Sequence, residues 1–251
     1  MFQLSRKNMA EFLFSLKGVE NQTPLACLQK AWARSHSKEL RDGKSLSAFI
    51  ETKMPPIFEK LIKGKSHTIG LSINEIVSLG NQIEFANLSS SAVQNWVKRD
   101  VKELIGSPRL GKKYTVEQAA TLFIVEDLKA SLDFDSIRKV LALIFNNPDD
   151  HSDDVIDPLD FYLAYATIFE KIHHENNLKK QEVGDCPFHL QMEKYINNEA
   201  CFLLQVFKHL NEKQKEIVMN VLVMASLTVL SAYYQTLTRN YMNATLFLQG
   251  L

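Results

Sequence analysis

The chain has 251 residues, 45% of them hydrophobic, and carries 29 basic and 29 acidic side chains. This length and apolar content suit one large or two small domains with a substantial core. Zero net charge excludes a general affinity of the whole molecule for polyanions, so any nucleic-acid-binding surface must be local.

The cysteines and the N-terminus both predict a cytoplasmic protein. Cys27, Cys186 and Cys201 are odd in number and far apart, which argues against a disulfide framework. Glu11 and Lys17 interrupt the apolar patches near the N-terminus, so no signal-peptide core can form there. We therefore expect free thiols in a reducing compartment.

Helical spacing of apolar residues predicts an all-α protein, because only 9 glycines and 7 prolines interrupt the chain. An amphipathic helix is expected over residues 2–17, and Pro24 opens a second one. A further helix is expected after Gly43. The pair Pro55-Pro56 then ends that helix, and the next short helix begins.

A helix pair follows that has the pattern of a helix-turn-helix. Ser72 and Glu75 have the spacing of a capping box, which predicts a supporting helix. Ser89 or Ser90 begins the next helix, and Trp96 lies on its apolar side. A helix in the major groove needs side chains that donate and accept hydrogen bonds in pairs. The polar residues of this helix, Gln94, Asn95, Lys98 and Arg99, form the predicted recognition set.

A basic loop broken by glycine and proline comes next. Residues 98–113 contain six basic and two acidic side chains. Such a loop can fold as a hairpin wing whose cations bind phosphates, although a solvated basic loop is the alternative. The loop residues assigned to DNA contact are Lys102, Arg109, Lys112, Lys113 and Tyr114.

Two more helices should complete this domain. Thr115, with Glu117 or Gln118 in the first turn, predicts the start of one helix, and Asp135 is expected to cap the next. We assign 1–63 as an N-terminal helical extension, 64–147 as the helix-turn-helix domain and 148–251 as a C-terminal helical domain.

Three segments, 88–98, 111–115 and 128–137, resemble a bacterial family described as domain of unknown function 1836, from about residue 54 onward. Members resemble the mercury-resistance (MerR) regulators in their winged helix-turn-helix. The resemblance implies a DNA-binding regulator with Ser91, Gln94, Asn95, Lys98 and Arg99 on the recognition helix and Lys112, Lys113 and Tyr114 on the wing. The MerR wing has an arginine beside its tyrosine, whereas this chain has Lys113, which contacts phosphate as a point charge.

The C-terminal half predicts long helices behind an acidic linker at 149–154. Helices are expected from Pro158 to about Asn176, over 188–210 and over 212–240. Residues 217–234 carry no charge, and we interpret them as a buried helix, with a membrane span as the alternative. No long dimerisation helix directly follows the helix-turn-helix, so a homodimer is expected through the C-terminal helices. A small-molecule or protein effector could bind between them.

The sequence predicts neither a metal site nor a cofactor. Cys186 and His189 have zinc-ligand spacing, but a second close pair is missing, so a buried thiol and a surface histidine are expected. The aspartates of the 149–160 segment lack the glycine and the glutamate of a calcium loop. No phosphate-binding, dinucleotide-binding or hydrolase motif is present, so we expect no enzyme.

Two functions follow from these patterns. The first is a dimeric transcriptional regulator that binds duplex DNA. The second is a helical protein-interaction module that keeps the winged fold and uses Trp96 on a protein partner. An exposed indole would favour the second interpretation.

Overall fold

The structure is a computed structural model that describes residues 3–18, 22–36, 54–64, 69–148, 150, 153–174 and 187–249. Across these ranges the chain is predominantly helical, and its only β pairings are isolated bridges. The all-α prediction is therefore confirmed. The predicted helix after Gly43, the linker aspartate Asp149 and the thiol of Cys186 lie outside the described residues.

The chain divides into two compact units, Met1–Leu122 and Phe123–Leu251. The division falls within one helix, Val116–Leu128, so each unit contains part of it. The two units are described separately below.

The described residues of the first unit form seven helical elements before that shared helix. They are α1 (Arg6–Lys17), α2 (Pro24–Ser35), α3 (Pro56–Lys63), α4 (Ile73–Gly80), α5 (Ser90–Asn95), a π-helical segment (Trp96–Asp100) and α6 (Lys102–Ile105); α7 (Val116–Leu128) follows. Pro24 begins α2 as predicted, and α3 begins at Pro56, within the proline pair. The π-helical segment and α6 were not predicted, because elements of four or five residues carry too little periodicity.

Reciprocal caps fix the starts of α4 and α7. The Ser72 hydroxyl accepts from Glu75 N–H at 3.3 Å while Ser72 N–H donates to the Glu75 carboxylate at 2.7 Å. Thr115 and Gln118 make the same exchange at 3.2 and 3.0 Å. The predicted capping box of α4 is therefore confirmed, and Gln118, one of the two predicted partners, pairs with Thr115 at the start of α7.

A minimal hairpin lies between α6 and α7. Leu110 and Lys113 exchange two backbone hydrogen bonds of 3.0 and 3.2 Å, and Gly111 in the turn has a φ of +69°. The next residue, Tyr114, exchanges two more bonds of 2.8 Å with Leu71, just before α4. The basic loop thus ends in a two-residue turn that is pinned to the start of α4.

Gly70 permits this close approach. A Cβ atom at Gly70 would lie 2.9 Å from the Cβ of Lys113 and 3.2 Å from the Cβ of Leu110. Any larger side chain would collide with the hairpin, so only glycine fits at this position.

Glu75 links α4 to two other elements. Its carboxylate lies 2.6 Å from the Lys60 ammonium of α3 and 3.7 Å from the Lys113 ammonium of the hairpin. Burial acts to raise the pKa of Glu75, but hydrogen bonds from Lys60 and Ser72 outweigh it. Together with the charge of Lys113, they lower the pKa from 4.5 to about 2.

In the second unit the described residues form the end of α7 and four further helices, α8 (Phe134–Leu141), α9 (Pro158–His174), α10 (Phe188–Leu204) and α11 (Glu212–Leu248). The last three pack against one another. In its core the Tyr165 hydroxyl donates to the buried Asp127 carboxylate at 2.8 Å. Helix α10 ends earlier than predicted and α11 continues beyond Asn240.

Asp133 caps α8, so the prediction of Asp135 is wrong by two residues. Asp133 has extended backbone angles and accepts from Ser136 N–H at 2.7 Å, as an N-cap does. Asp135 already lies inside the helix, where it pairs with Arg138.

Helix α11 is long and apolar enough to cross a membrane by length and composition, a criterion that a core helix also meets. Its first half has a buried face, which packs within the second unit. That face comprises Val218, Val221, Leu222, Ala225, Ser226, Thr228, Val229 and Leu230.

We expect Glu75→Gln to flatten the pH dependence of stability. Because folding lowers the pKa of Glu75, its ionised form stabilises the protein above pH 4.5, and this contribution is lost as the pH falls toward about 2. The loss should reach about 2 to 3 kcal/mol. Urea unfolding at several pH values measures it. The exposed Glu103→Gln variant is the control, and equal pH profiles for the two variants would contradict the prediction.

We expect Gly70→Ala to destabilise the hairpin by about 1 to 3 kcal/mol, because the new methyl group must displace Lys113. Hydrogen exchange should show faster exchange at Leu71, Leu110 and Tyr114. Lys112→Ala, at the exposed turn, should change the free energy of unfolding by less than about 0.5 kcal/mol. Unchanged exchange in Gly70→Ala would refute the spatial argument.

Candidate nucleic-acid interface

Helix α5 and the π-helical segment together form a rod of 11 residues, Ser90 to Asp100. Ser89 caps it by accepting from Ala92 N–H at 3.2 Å. The five residues predicted to read DNA all lie on this rod with exposed side chains: Ser91, Gln94, Asn95, Lys98 and Arg99.

The opposite face of the rod is buried. Val93 is inaccessible, Trp96 is only 4% exposed and Val97 is also buried. The indole therefore anchors the rod in the core and leaves the polar face free. An exposed indole would have favoured a protein partner at Trp96, but the indole is buried.

The π-helical segment changes the direction of the last side chains of the rod. Val101 N–H donates to the Trp96 carbonyl at 2.9 Å, five residues back, instead of four. A wider turn shifts the angular positions of Lys98 and Arg99 relative to a continuous α-helix. Such segments occur often at functional sites in proteins.

Asn81 closes the connector between α4 and α5. Its side-chain amide donates to the Leu88 carbonyl at 3.0 Å, and its carbonyl accepts from Leu88 N–H at 2.8 Å. The N-terminal segment braces the same connector, since Leu4 N–H donates to the Gln82 carbonyl at 2.7 Å and Arg6 donates to the Glu84 carbonyl at 3.0 Å. These contacts fix where the rod begins.

Gln118 holds the chain between the rod and the hairpin. Its side chain is buried, and its amide group donates to the carbonyls of Ile105 at 2.7 Å and Ser107 at 2.8 Å. Because its carbonyl oxygen accepts the Thr115 cap bond, the whole amide is satisfied.

The hairpin residues differ in accessibility. Lys112 and Lys113 are exposed, as is Lys102 of α6. Arg109 is half-buried, and its Nε and Nη2 atoms are buried with no hydrogen-bond partner in the described part of the chain. In this conformation Arg109 offers at most its Nη1 atom to a phosphate.

Tyr114 belongs to the core. Its side chain is only 6% exposed, and burial raises the pKa of its hydroxyl. Tyr114 therefore supports the hairpin through packing and its backbone bonds to Leu71, and we leave it out of the contact surface.

The first turn of α4 contacts both halves of the predicted interface. The Ser90 hydroxyl, at the start of the rod, lies 3.1 Å from the Asn74 side chain. The adjacent residue, Glu75, faces Lys113 of the hairpin at 3.7 Å. The rod and the hairpin therefore flank two successive residues, a proximity that sequence spacing could not show.

Ion pairs engage part of the basic cluster. Arg99 Nε lies 2.7 Å from the Asp100 carboxylate, and Lys113 faces Glu75. Within the described ranges Lys98, Lys102 and Lys112 make no ion pair. The described residues hold no group of three His, Cys, Asp or Glu side chains that could bind a metal.

Sequence reasoning missed Asn74, Asn81 and the linking role of Glu75. Glu75 was recognised as a cap, but its contacts with Lys60 and Lys113 depend on the fold. Asn81 carried a weak signal, since asparagine is common where chains turn.

Comparisons with known proteins place these residues in a family. Residues 67–165 match the family described as domain of unknown function (DUF1836). A Bacillus subtilis (strain 168) protein with the name Uncharacterized protein YkrK is 37% identical over 235 residues, which cover 94% of each chain. No solved structure matches the chain. With a family match over the rod and hairpin and a relative over nearly its whole length, the chain belongs to the DUF1836 family.

Proposed function

We propose that this protein binds duplex DNA as a transcriptional regulator, with the rod as a recognition helix and the hairpin as a MerR-like wing. The observation that carries the proposal is the proximity at α4. Asn74 contacts the start of the rod at Ser90, and Glu75 contacts Lys113 of the hairpin. An exposed polar helix face and an exposed basic turn therefore lie beside the same helical turn.

The chemistry of the rod suits a major groove. A rod of 11 residues is about 16 Å long, and the groove is about 12 Å wide. Gln94 and Asn95 can each donate and accept, as adenine recognition requires, and Arg99 can reach guanine if it leaves Asp100. Lys98, Lys102 and Lys112 are placed to bind phosphates.

The burial of Trp96 favours the first of the two functions considered. A protein-interaction module built on this rod would present its large aromatic side chain, because interface anchors are typically exposed aromatics. The indole is instead buried beneath the polar face. We therefore favour DNA, and propose a cytoplasmic protein without a catalytic role.

Binding to random duplex DNA should weaken steeply with salt, because phosphate contacts release counterions. We expect Lys112→Ala to reduce the slope of log K against log salt by about one. Fluorescence anisotropy with a labelled duplex at several salt concentrations measures the slope.

Lys213→Ala is the matched control, since Lys213 is an exposed lysine at the start of α11 in the second unit. It should leave the slope unchanged. Absent or salt-insensitive binding by the wild type would refute the proposal.

Asn95→Ala should relax sequence preference. On a duplex selected from a random pool, we expect the variant to lose about 1 to 3 kcal/mol of preference over random DNA. Affinity for the random duplex should change little, because Asn95 carries no charge. Lys112→Ala should give the opposite pattern, with equal weakening on both duplexes. A loss of preference by Lys112→Ala alone would assign readout to the hairpin.

A further inference from the structure

The C-terminal half of α11 is an exposed helix with apolar side chains. Every residue from Leu237 to Gln249 is exposed, although this stretch continues the same unbroken helix as the buried first half. The twelve helical residues from Leu237 to Leu248 extend about 18 Å. A helix of this length is marginal in water by itself, and contiguous exposed apolar side chains mark an interaction surface.

The apolar residues of this half include a regular seam. Tyr234, Leu237, Tyr241, Ala244 and Leu248 are spaced by three, four, three and four residues. This spacing keeps the five side chains on one stripe, as in the a and d positions of a coiled coil. All five are exposed, with Tyr241 at 71% and Leu248 at 79%.

We propose that this seam pairs with the same seam of a second copy of the chain, in antiparallel orientation. The inference does not rest on DNA binding, and its test uses no nucleic acid. Two features of the helix favour a copy of itself over another partner.

The first feature is charge. Between Ile217 and Gln249 the only charged residue is Arg239, which lies on the side of the helix opposite Tyr241. Two identical seams can therefore meet without like-charge repulsion. The seam also carries no charge that would select an acidic or basic partner.

The second feature is the alternation of side-chain size. In an antiparallel pair centred between Tyr241 and Ala244, each tyrosine faces the alanine of the other copy, and Leu237 faces Leu248. Large side chains then meet small ones, which fills the interface evenly. In a parallel pair the two Ala244 side chains would face each other and leave a gap. The two-fold antiparallel arrangement is thus self-complementary.

The seam is short, so we expect a dimer of modest affinity. Light scattering after size-exclusion chromatography, and sedimentation over about 1 to 100 μM, should show a monomer–dimer equilibrium. Tyr241→Glu places a carboxylate in the apolar seam and should raise the dimer Kd at least about tenfold. Asn243→Glu is the matched control, because it adds the same charge to an exposed site outside the seam.

A size exchange tests the orientation. Ala244→Tyr alone should weaken the dimer, since tyrosine would then face tyrosine. The double variant Tyr241→Ala/Ala244→Tyr should restore it, because each large side chain again faces a small one. Circular dichroism should show that all four variants remain predominantly helical, since the altered side chains are exposed in the wild type.

Several results would overturn the proposal. They are a wild type that stays monomeric across the concentration range, equal weakening by Tyr241→Glu and Asn243→Glu, no recovery in the double variant, or a stoichiometry above two. A membrane is the competing partner, given the apolar character of α11. Monomeric wild type that sediments with phosphatidylcholine–phosphatidylglycerol vesicles, with Tyr241→Glu losing that binding, would assign the seam to lipid.

Discussion

One buried carboxylate organises the first unit. Glu75 closes the cap of α4 through Ser72, accepts a short contact from Lys60 of α3 and faces Lys113 of the hairpin. A carboxylate removed from water must be paired, and loss of one partner leaves a costly unpaired charge. One side chain therefore holds α3, α4 and the hairpin in fixed relative positions. The rod, which contacts the neighbouring Asn74, begins beside this cluster.

The local parts of the fold could be predicted because their causes are local. The capping partners of Ser72 and Thr115 lie three residues later in the chain. Pro24 directly follows the cap residue Thr23, a position where proline favours the start of a helix. The exposure of Gln94 and Asn95 followed from the apolar stripe through Trp96.

The remaining features depend on contacts between distant residues. Tyr114 was assigned to DNA because the family resemblance implies that it lies on the wing, whereas its side chain is buried in the core and its backbone pairs with Leu71. Asp133 and Asp135 were equivalent by residue type, and only backbone angles distinguish them. The π-helical segment that starts at Trp96 likewise could not be predicted, because its five residues have no periodic pattern that distinguishes it from an α-helix.

In the candidate interface, carboxylates of the protein compete with phosphates for the basic side chains. Asp100 and Glu75 already engage Arg99 and Lys113, so a bound phosphate would replace a carboxylate at both positions. A phosphate that replaces a carboxylate contributes less binding free energy than a phosphate at a lysine without an ion pair, because the original ion pair is lost. In the proposed complex with DNA, most of the affinity is therefore expected to come from Lys98, Lys102 and Lys112.

The two hydrogen bonds between the Asn81 side chain and the Leu88 backbone close the connector before the rod into a ring. The residues inside that ring, including Phe85 with its φ of 65°, are separated from the position at which the rod starts. Because the N-terminal segment also bonds to Gln82 and Glu84 inside the ring, a change confined to residues 85–87 should disturb the start of the rod least. Relatives could thus vary these three residues while the rod keeps its position.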